Sequence, residues 1–260
     1  MTIRFLGTGT SVGVPQIGCG CPVCTSNDPR DKRRRCSIYV VSSSGGAVLV
    51  DTPPELRLSC IEYGISKVDA LLLTHAHMDH VAGFDDVRRF NTINGGVPLV
   101  CRALPETVEQ MHKIFPYIGI QKSERGLFRP QVDFESADEG EPFSMCGMEI
   151  EALRVEHGFP CCGWLFREAG KRFAYIPDCH VLPPRTIEKI RGADILAINC
   201  LREREHPTHL TLERALAYIR DIAPGHAYLT HMCHDLSHVQ YQERLPPAVE
   251  PAADGLEIAL

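Results

Sequence analysis

Short runs of apolar, β-branched and aromatic residues alternate with Gly- and Pro-rich turns along the chain. Runs of four to eight such residues bounded by turn formers predict strands. They fall at 3–6, 38–41, 47–50, 70–73 and 98–101, and later at 149–155, 164–167, 172–176, 195–199 and 227–229. Helical patterns cover 55–63 and 104–115. Leu212, Leu216, Ile219 and Ile222 space a third helix, with Thr211 placed to cap its N-terminus. In each half of the chain hairpins come first and strand–helix units follow. That order predicts an α/β (α+β) protein: two mixed sheets packed together with helices outside.

No internal repeat, low-complexity tract or linker divides the chain, so a single domain over 1–260 is expected. Two stretches break the pattern. Residues 30–35 hold five basic residues in six positions and read as a solvated loop, with use by an anionic substrate as the alternative. Residues 116–130 combine weak periodicity, aromatics and the polar side chains of Lys122, Ser123, Arg125 and Arg129. A loop of that length is read either as a lid or as a surface insertion.

With 44% hydrophobic and 23% charged residues, the 260-residue chain is neither collagen-like, disordered nor coiled-coil. A chain of this length buries roughly three quarters of its unfolded surface, so it needs no staples. The formal net charge of −6 lacks the global footprint of a nucleic-acid binder. No apolar run reaches the ~18–20 residues of a membrane span, and Met1-Thr2 leads directly into Ile3-Arg4-Phe5 without a secretory signal. A cytoplasmic location is therefore expected, where clustered cysteines bind metal or react. The counts that stand out are 12 Cys and 12 His. Cys60, Cys101, Cys146, Cys162, Cys179 and Cys200 are read as buried thiols acting as small hydrophobes.

Four residues able to bind metal, His75, His77, Asp79 and His80, lie in six positions directly after the apolar run 70–73. At the end of a strand, His75 and His77 project to the same side and can hold one ion, while the turn swings Asp79 and His80 toward a second. A further group, Cys19, Cys21 and Cys24, lies in a Gly/Pro-rich loop at 18–24. Three thiolates so close require a cation, and a fourth ligand completes a tetrahedral zinc site. His234 is the first choice for it and Cys233 the second. Gly7-Thr8-Gly9 is not a dinucleotide-binding turn, because Val12 stands where the third glycine belongs.

His75-x-His77-x-Asp79-His80 resembles the signature of the metallo-β-lactamase-fold hydrolases. That resemblance implies a four-layer αββα sandwich with a dinuclear site at its rim, and it supplies three more ligands in order: His157, Asp178 and His231. It assigns His75, His77 and His157 to one ion, Asp79, His80 and His231 to the other, and Asp178 to both. Mixed nitrogen and oxygen ligation suits Zn²⁺ or Mn²⁺, with Ni²⁺ a further option. Asp51 is read either as a partner orienting a ligand histidine or as a turn-capping residue.

Cys19, Cys21, Cys24 and His234 look like the structural zinc site of one branch of that superfamily, the cyclic phosphodiesterases associated with carbon–phosphorus lyase. Phe5-Leu6-Gly7-Thr8-Gly9-Thr10, Cys36-Ser37, residues 229–234 and residues 254–258 are further echoes. The resemblance implies hydrolysis of a small cyclic phosphodiester, such as a phosphoribosyl 1,2-cyclic phosphate, by attack of a metal-bound hydroxide. Asp79 counts there as both ligand and catalytic residue. His209, just before the helix at Thr211, matches a substrate-facing histidine that steadies phosphate or protonates the leaving oxygen. His206 receives no role, and His112, His180, His226 and His238 are read as ordinary polar or packing residues.

Partners follow from the same reading: a small-molecule substrate, with neither nucleic acid nor membrane expected and a homodimer left open. The enzymatic alternative is a tRNA 3′-processing nuclease, which shares the opening Phe-Leu-Gly-Thr-Gly. A non-hydrolytic relative of the pyrroloquinoline-quinone biosynthesis protein is the other, because Asp51-Thr52-Pro53-Pro54-Glu55-Leu56-Arg57 is closer to its counterpart.

Overall fold

The computed structural model describes residues 1–118 and 129–260. In chain order, β1 (Thr2–Gly7), β2 (Ser37–Val41) and β3 (Ala47–Val50) are joined antiparallel. After α1 (Leu56–Glu62) comes β4 (Ala70–Leu72), then the short helices α2 (Met78–Val81) and α3 (Arg88–Ile93), β5 (Leu99–Ala103), α4 (Pro105–Ile114) and β6 (Val132–Ser136). The strands β3 to β6 run parallel to one another. The second half repeats the scheme. β7 (Phe143–Met145), β8 (Met148–Val155), β9 (Cys161–Glu168) and β10 (Lys171–Ile176) are joined antiparallel. Parallel neighbours follow through α5 (Pro184–Ile190), β11 (Ile195–Asn199), α6 (Leu212–Ile222), β12 (His226–Thr230), α7 (His238–Arg244) and β13 (Val249–Pro251). The final strand β14 (Glu257–Ala259) returns to pair with β1.

Among the described residues this gives two seven-stranded sheets, ordered β14-β1-β2-β3-β4-β5-β6 and β13-β12-β11-β10-β9-β8-β7. Strand periodicity explains the layering, because successive side chains face opposite sides of a sheet. Val48 and Val50 enter the core between the sheets, whereas Leu49 faces the helices outside. Phe173 and Tyr175 likewise face inward, and Ala174 and Ile176 outward. Burial on both faces is why these strands read as continuous apolar runs. Each buried side chain of this kind contributes about 1.5–3 kcal/mol.

Thr211 caps α6 as expected, its side chain accepting from the Arg214 N–H. The strands β6, β7, β13 and β14 were not expected from the sequence. All are short, and β13 contains a proline that restricts it to a sheet edge.

The basic stretch 30–35 is not a solvated loop. Arg33 is fully buried, and its guanidinium donates to the carbonyls of Cys233 and Leu236. Arg34 pairs with Glu62, Arg35 with Glu55 and Arg30 with Asp28. Every arginine in the stretch is therefore engaged, and the segment straps the N-terminal loop to the body. Cys146, expected among the buried thiols, is half-buried in the β7–β8 turn. Of the loop at 116–130, residues 119–128, with Lys122, Ser123 and Arg125, lie outside the described residues.

Candidate metal centre

The C-terminal ends of β3 and β4 in one sheet and of β10, β11 and β12 in the other meet at one rim of the sandwich. Each contributes a polar residue at or just beyond the end of an apolar strand: Asp51, the segment from Thr74 to His80, Asp178, Asn199 and His231. His157 follows β8. Within the segment after β4, His77 is extended and immediately precedes α2. The single turn of α2 then directs Asp79 and His80 back toward the rim.

Two groups of ligand atoms result. One nitrogen each of His75, His77 and His157 lie within 4.8 Å of one another, as do ligand atoms of Asp79, His80, Asp178 and His231. The Asp178 carboxylate connects the groups. Its Oδ2 is 3.3 Å from His75 Nε2 and 2.8 Å from His80 Nε2, and its Oδ1 is 2.9 Å from His231 Nε2. Despite these separations, His80 Nε2, His231 Nε2 and Asp178 Oδ1 are buried without a hydrogen-bond partner. All three side chains belong to one group whose ligand atoms lie within 4.8 Å of one another. Buried polar atoms seldom stay unpaired, and this convergence is what a divalent cation satisfies.

Three of the remaining ring nitrogens have partners of their own, whereas His231 Nδ1 has none among the described residues. His80 Nδ1 contacts Asp51 Oδ2 at 2.8 Å, and His157 Nδ1 donates to the Thr208 carbonyl at 2.8 Å. His75 Nδ1 lies 3.0 Å from Thr74 Oγ1. Such partners fix tautomer and ring orientation. Two non-glycine residues in the centre have left-handed backbones, Asp51 with φ 61° and His231 with φ 59°. Main-chain bonds hold the backbone at each one: Asp51 N to Leu72 O and Thr52 N to His80 O, then Cys200 N to Thr230 O and Met232 N to Thr8 O on either side of His231. Strain of this kind persists only where surroundings over-determine it.

Charge follows geometry. Burial disfavours a proton on His75, and the nearby His80 adds to that, so its pKa falls well below the usual imidazole value. Burial acts the same way on His80, but Asp178, Asp51 and Asp79 outweigh it and raise its pKa well above the usual value. Burial opposes ionisation of Asp178, yet His231 and His80 hold it well below the carboxylate range. The carboxylates of Asp79 and Asp178 among these imidazoles form a mixed oxygen and nitrogen donor set that suits a divalent ion.

His209 lies at the same rim. Its ring stacks on His231 with centroids 4.6 Å apart, and its Nδ1 is 3.8 Å from Asp178 Oδ1. Burial, then His231, pushes it down to about 2. His206, given no role from sequence, sits beside it with centroids 4.9 Å apart.

A separate cluster joins the N-terminal loop to the loop after β12. The sulfurs of Cys19, Cys21 and Cys24 lie 3.3, 3.4 and 3.3 Å from His234 Nδ1. Backbone N–H groups of Cys24 and Gln16 donate to the sulfurs of Cys21 and Cys24. The Cys24 N–H is the main reason Cys21 is lowered to about 6, whereas burial raises Cys24 to about 11. Three thiols this close cannot all ionise without a cation, and the donor set is that of a closed zinc site. Cys233 is not part of the group; its sulfur accepts from the Asp235 N–H.

The eleven residues singled out as ligands thus fall into two places, seven at the rim with His209 beside them and four at the cysteine cluster. Sequence reasoning missed Asn199, Thr74 and Phe159, whose ring lies over His77 with centroids 4.6 Å apart. The signal for Asn199 was available, as a polar residue ending the apolar run 195–198.

Residues 47–232 match the family described as "Beta-lactamase superfamily domain". Among solved structures, a "New Diphosphatase from the PhnP Family" superposes with a TM-score of 0.89 at 36% identity, covering 99% of this chain and 96% of that one. A Porphyromonas gingivalis protein named octanoyltransferase is 36% identical across 99% of this chain, which spans only 51% of that relative's length. A coenzyme PQQ synthesis protein B from Methylorubrum populi is 27% identical across 75% of this chain and 71% of its own.

Proposed function

We propose, for a chain that belongs to the beta-lactamase superfamily and within it to the PhnP family, that the substrate is a small phosphodiester, with a cyclic one such as a phosphoribosyl 1,2-cyclic phosphate as first candidate. The fold is the metallo-β-lactamase sandwich, and the chain is a metal-dependent hydrolase of phosphoric esters. In this reading His75, His77 and His157 hold one divalent ion and Asp79, His80 and His231 a second, with Asp178 serving both. The supporting observation is the convergence of His80 Nε2, His231 Nε2 and Asp178 Oδ1, buried and without hydrogen-bond partners. Zn²⁺, Mn²⁺ and Ni²⁺ all suit that donor set. When bound, two such ions supply an activated water and neutralise charge on the transferred phosphoryl group.

The chain's own residues do the rest. Asp51, Thr74 and the Thr208 carbonyl hold the ligand rings in register. Phe159 forms an apolar wall over His77. His209, whose ring lies against those of His157 and His231, would donate a hydrogen bond to the departing oxygen. Cys19, Cys21, Cys24 and His234 hold a zinc ion that braces the loop carrying His231 and does no chemistry.

The net charge of −6 favours a small substrate over precursor tRNA, and the full ligand set favours hydrolysis over a carrier role. A diphosphate ester is the second reading, supported by the likeness to a diphosphatase at 36% identity. The acyl-transfer name belongs to a protein about twice as long.

The test is a chelator-stripped enzyme reloaded with Mn²⁺, Zn²⁺ or Ni²⁺ and assayed alongside elemental analysis. The panel holds bis(p-nitrophenyl) phosphate, a ribose 1,2-cyclic phosphate, a diphosphate ester and a precursor tRNA. Metal-restored turnover of the diesters is expected. Equal turnover in the stripped enzyme overturns the metal assignment. Turnover of the diphosphate or the tRNA alone overturns the phosphodiester assignment.

A further inference from the structure

We propose that Asn199 is a positioning residue that sets the tautomer of His209, keeping its proton on Nε2. The inference rests on the reading of His209 given above only for its effect on turnover. The tautomer itself follows from the hydrogen bonds of the Asn199 amide.

Asn199 ends β11, between the strands that deliver Asp178 and His231, and its side chain is fully buried. Its Oδ1 accepts from the Leu210 N–H at 2.7 Å. Its Nδ2 donates to the Pro177 carbonyl at 2.7 Å and lies 3.3 Å from His209 Nδ1. A main-chain N–H can only donate and a carbonyl can only accept. These two partners therefore fix which end of the amide is nitrogen. The second N–H of that nitrogen reaches His209 Nδ1 and can only donate to it, so Nδ1 carries no proton. A neutral imidazole with an acceptor at Nδ1 has its hydrogen at Nε2.

The alternative tautomer has a competing partner. Asp178 Oδ1 lies 3.8 Å from the same Nδ1 and would attract a proton there. The ring cannot evade the choice by turning away, because it is stacked on His231 and packed against His157 with centroids 4.8 Å apart. Asn199 decides between the two states. It also ties the loop bearing His209 to Pro177, the residue before Asp178. One amide thus holds the donor and the carboxylate in a common frame, at the cost of a polar residue in an otherwise aliphatic strand.

Two nitrogen-resolved measurements on zinc-loaded enzyme test this. In ¹⁵N-histidine spectra near neutral pH, the His209 ring is expected to show a protonated Nε2 and an unprotonated Nδ1, with the resonance assigned by its loss in His209→Gln. A proton on Nδ1 in the unaltered protein overturns the proposal, whether or not any variant folds. Asn199→Asp keeps the Leu210 bond but presents oxygen to Nδ1. It is expected to move the proton to Nδ1 and lower kcat roughly 100-fold, with KM within about twofold and metal content unchanged. An unmoved proton in that variant overturns the proposal. A moved proton with unchanged kcat supports the role of Asn199 and overturns the donor role of His209.

Discussion

Asp51 Oδ2 lies 2.8 Å from His80 Nδ1, with both side chains fully buried. The carboxylate is further fixed by the Thr74 N–H and hydroxyl, each donating at 2.8 Å. His80 therefore presents Nε2 to Asp178 and Asp79, at 2.8 and 3.4 Å. Replacing Asp51 with Asn places an amide nitrogen among these donors and disturbs the orientation of His80. The expected result is a 10–100-fold weaker hold on the ion assigned to His80, typical of lost orienting partners, with the ion of His75, His77 and His157 retained. Metal titration by calorimetry with elemental analysis reads this directly. Binding of both ions within twofold of the parent would sink the idea.

Arg33 is the buried cation of the strap. It pairs with Asp31, donates to two carbonyls of the loop after β12, and lies over the Tyr241 ring. The same loop carries His231 and His234. Arg33→Met would leave Asp31 buried without its cation and two carbonyls without donors. Breaking a buried pair from one side costs about 3–5 kcal/mol. Equilibrium urea unfolding should show that loss, and a change below about 1 kcal/mol contradicts it.

The difference between Arg33 and His75 shows what a sequence exposes. Strands such as 47–50 and 195–199 were legible because burial on both faces leaves an unbroken apolar run. The ligands from His75 to His80 were legible because one turn brings neighbours together, so local spacing carries the geometry. His157, Asp178 and His231 converge only through sheet topology, and their place depended on likeness to a known family. The single turn of α2 has no period to detect. Arg33 lies in a run of charges that looks solvated, and only its partners at Asp31, Cys233 and Leu236, two of them some 200 residues away, show otherwise. Asn199 stands out as a polar end to an apolar run, but its role was hidden for the same reason, since its partners at Pro177 and His209 come from separate loops.

The cysteine cluster spans the chain from Cys19 to His234, closing a loop of 215 residues. The zinc proposed for this cluster would stabilise the folded state through the binding free energy it adds. Cys24→Ser is expected to release the zinc and lower the thermal midpoint by several degrees. It should also weaken the ion held by His231, three residues from His234. Thermal unfolding paired with zinc quantitation provides the check. An unchanged midpoint in zinc-free protein would show that the strap at Arg33 suffices alone.

Asp254 accepts from the Thr8 hydroxyl at 2.8 Å and the Arg34 N–H at 2.7 Å, joining the chain's last segment to the strap. The residue keeps some exposure, but burial of its carboxyl raises the pKa from 3.8 to about 7, against the pull of those two donors. A carboxyl that titrates near 7 when folded and near 3.8 when unfolded holds its proton more tightly in the folded state. Its contribution to stability is therefore complete below about pH 4 and lost as pH rises through about 7. Asn at this position can still accept from Arg34 through its oxygen and donate to the Thr8 hydroxyl, yet it cannot ionise. The stability of Asp254→Asn relative to the parent should rise by about 3 kcal/mol between pH 5 and pH 8. Urea unfolding of both proteins at the two pH values isolates this one group, since every other titration is common to both. Parallel pH profiles would mean that the carboxyl is already ionised at pH 5, with the Thr8 and Arg34 donors outweighing burial.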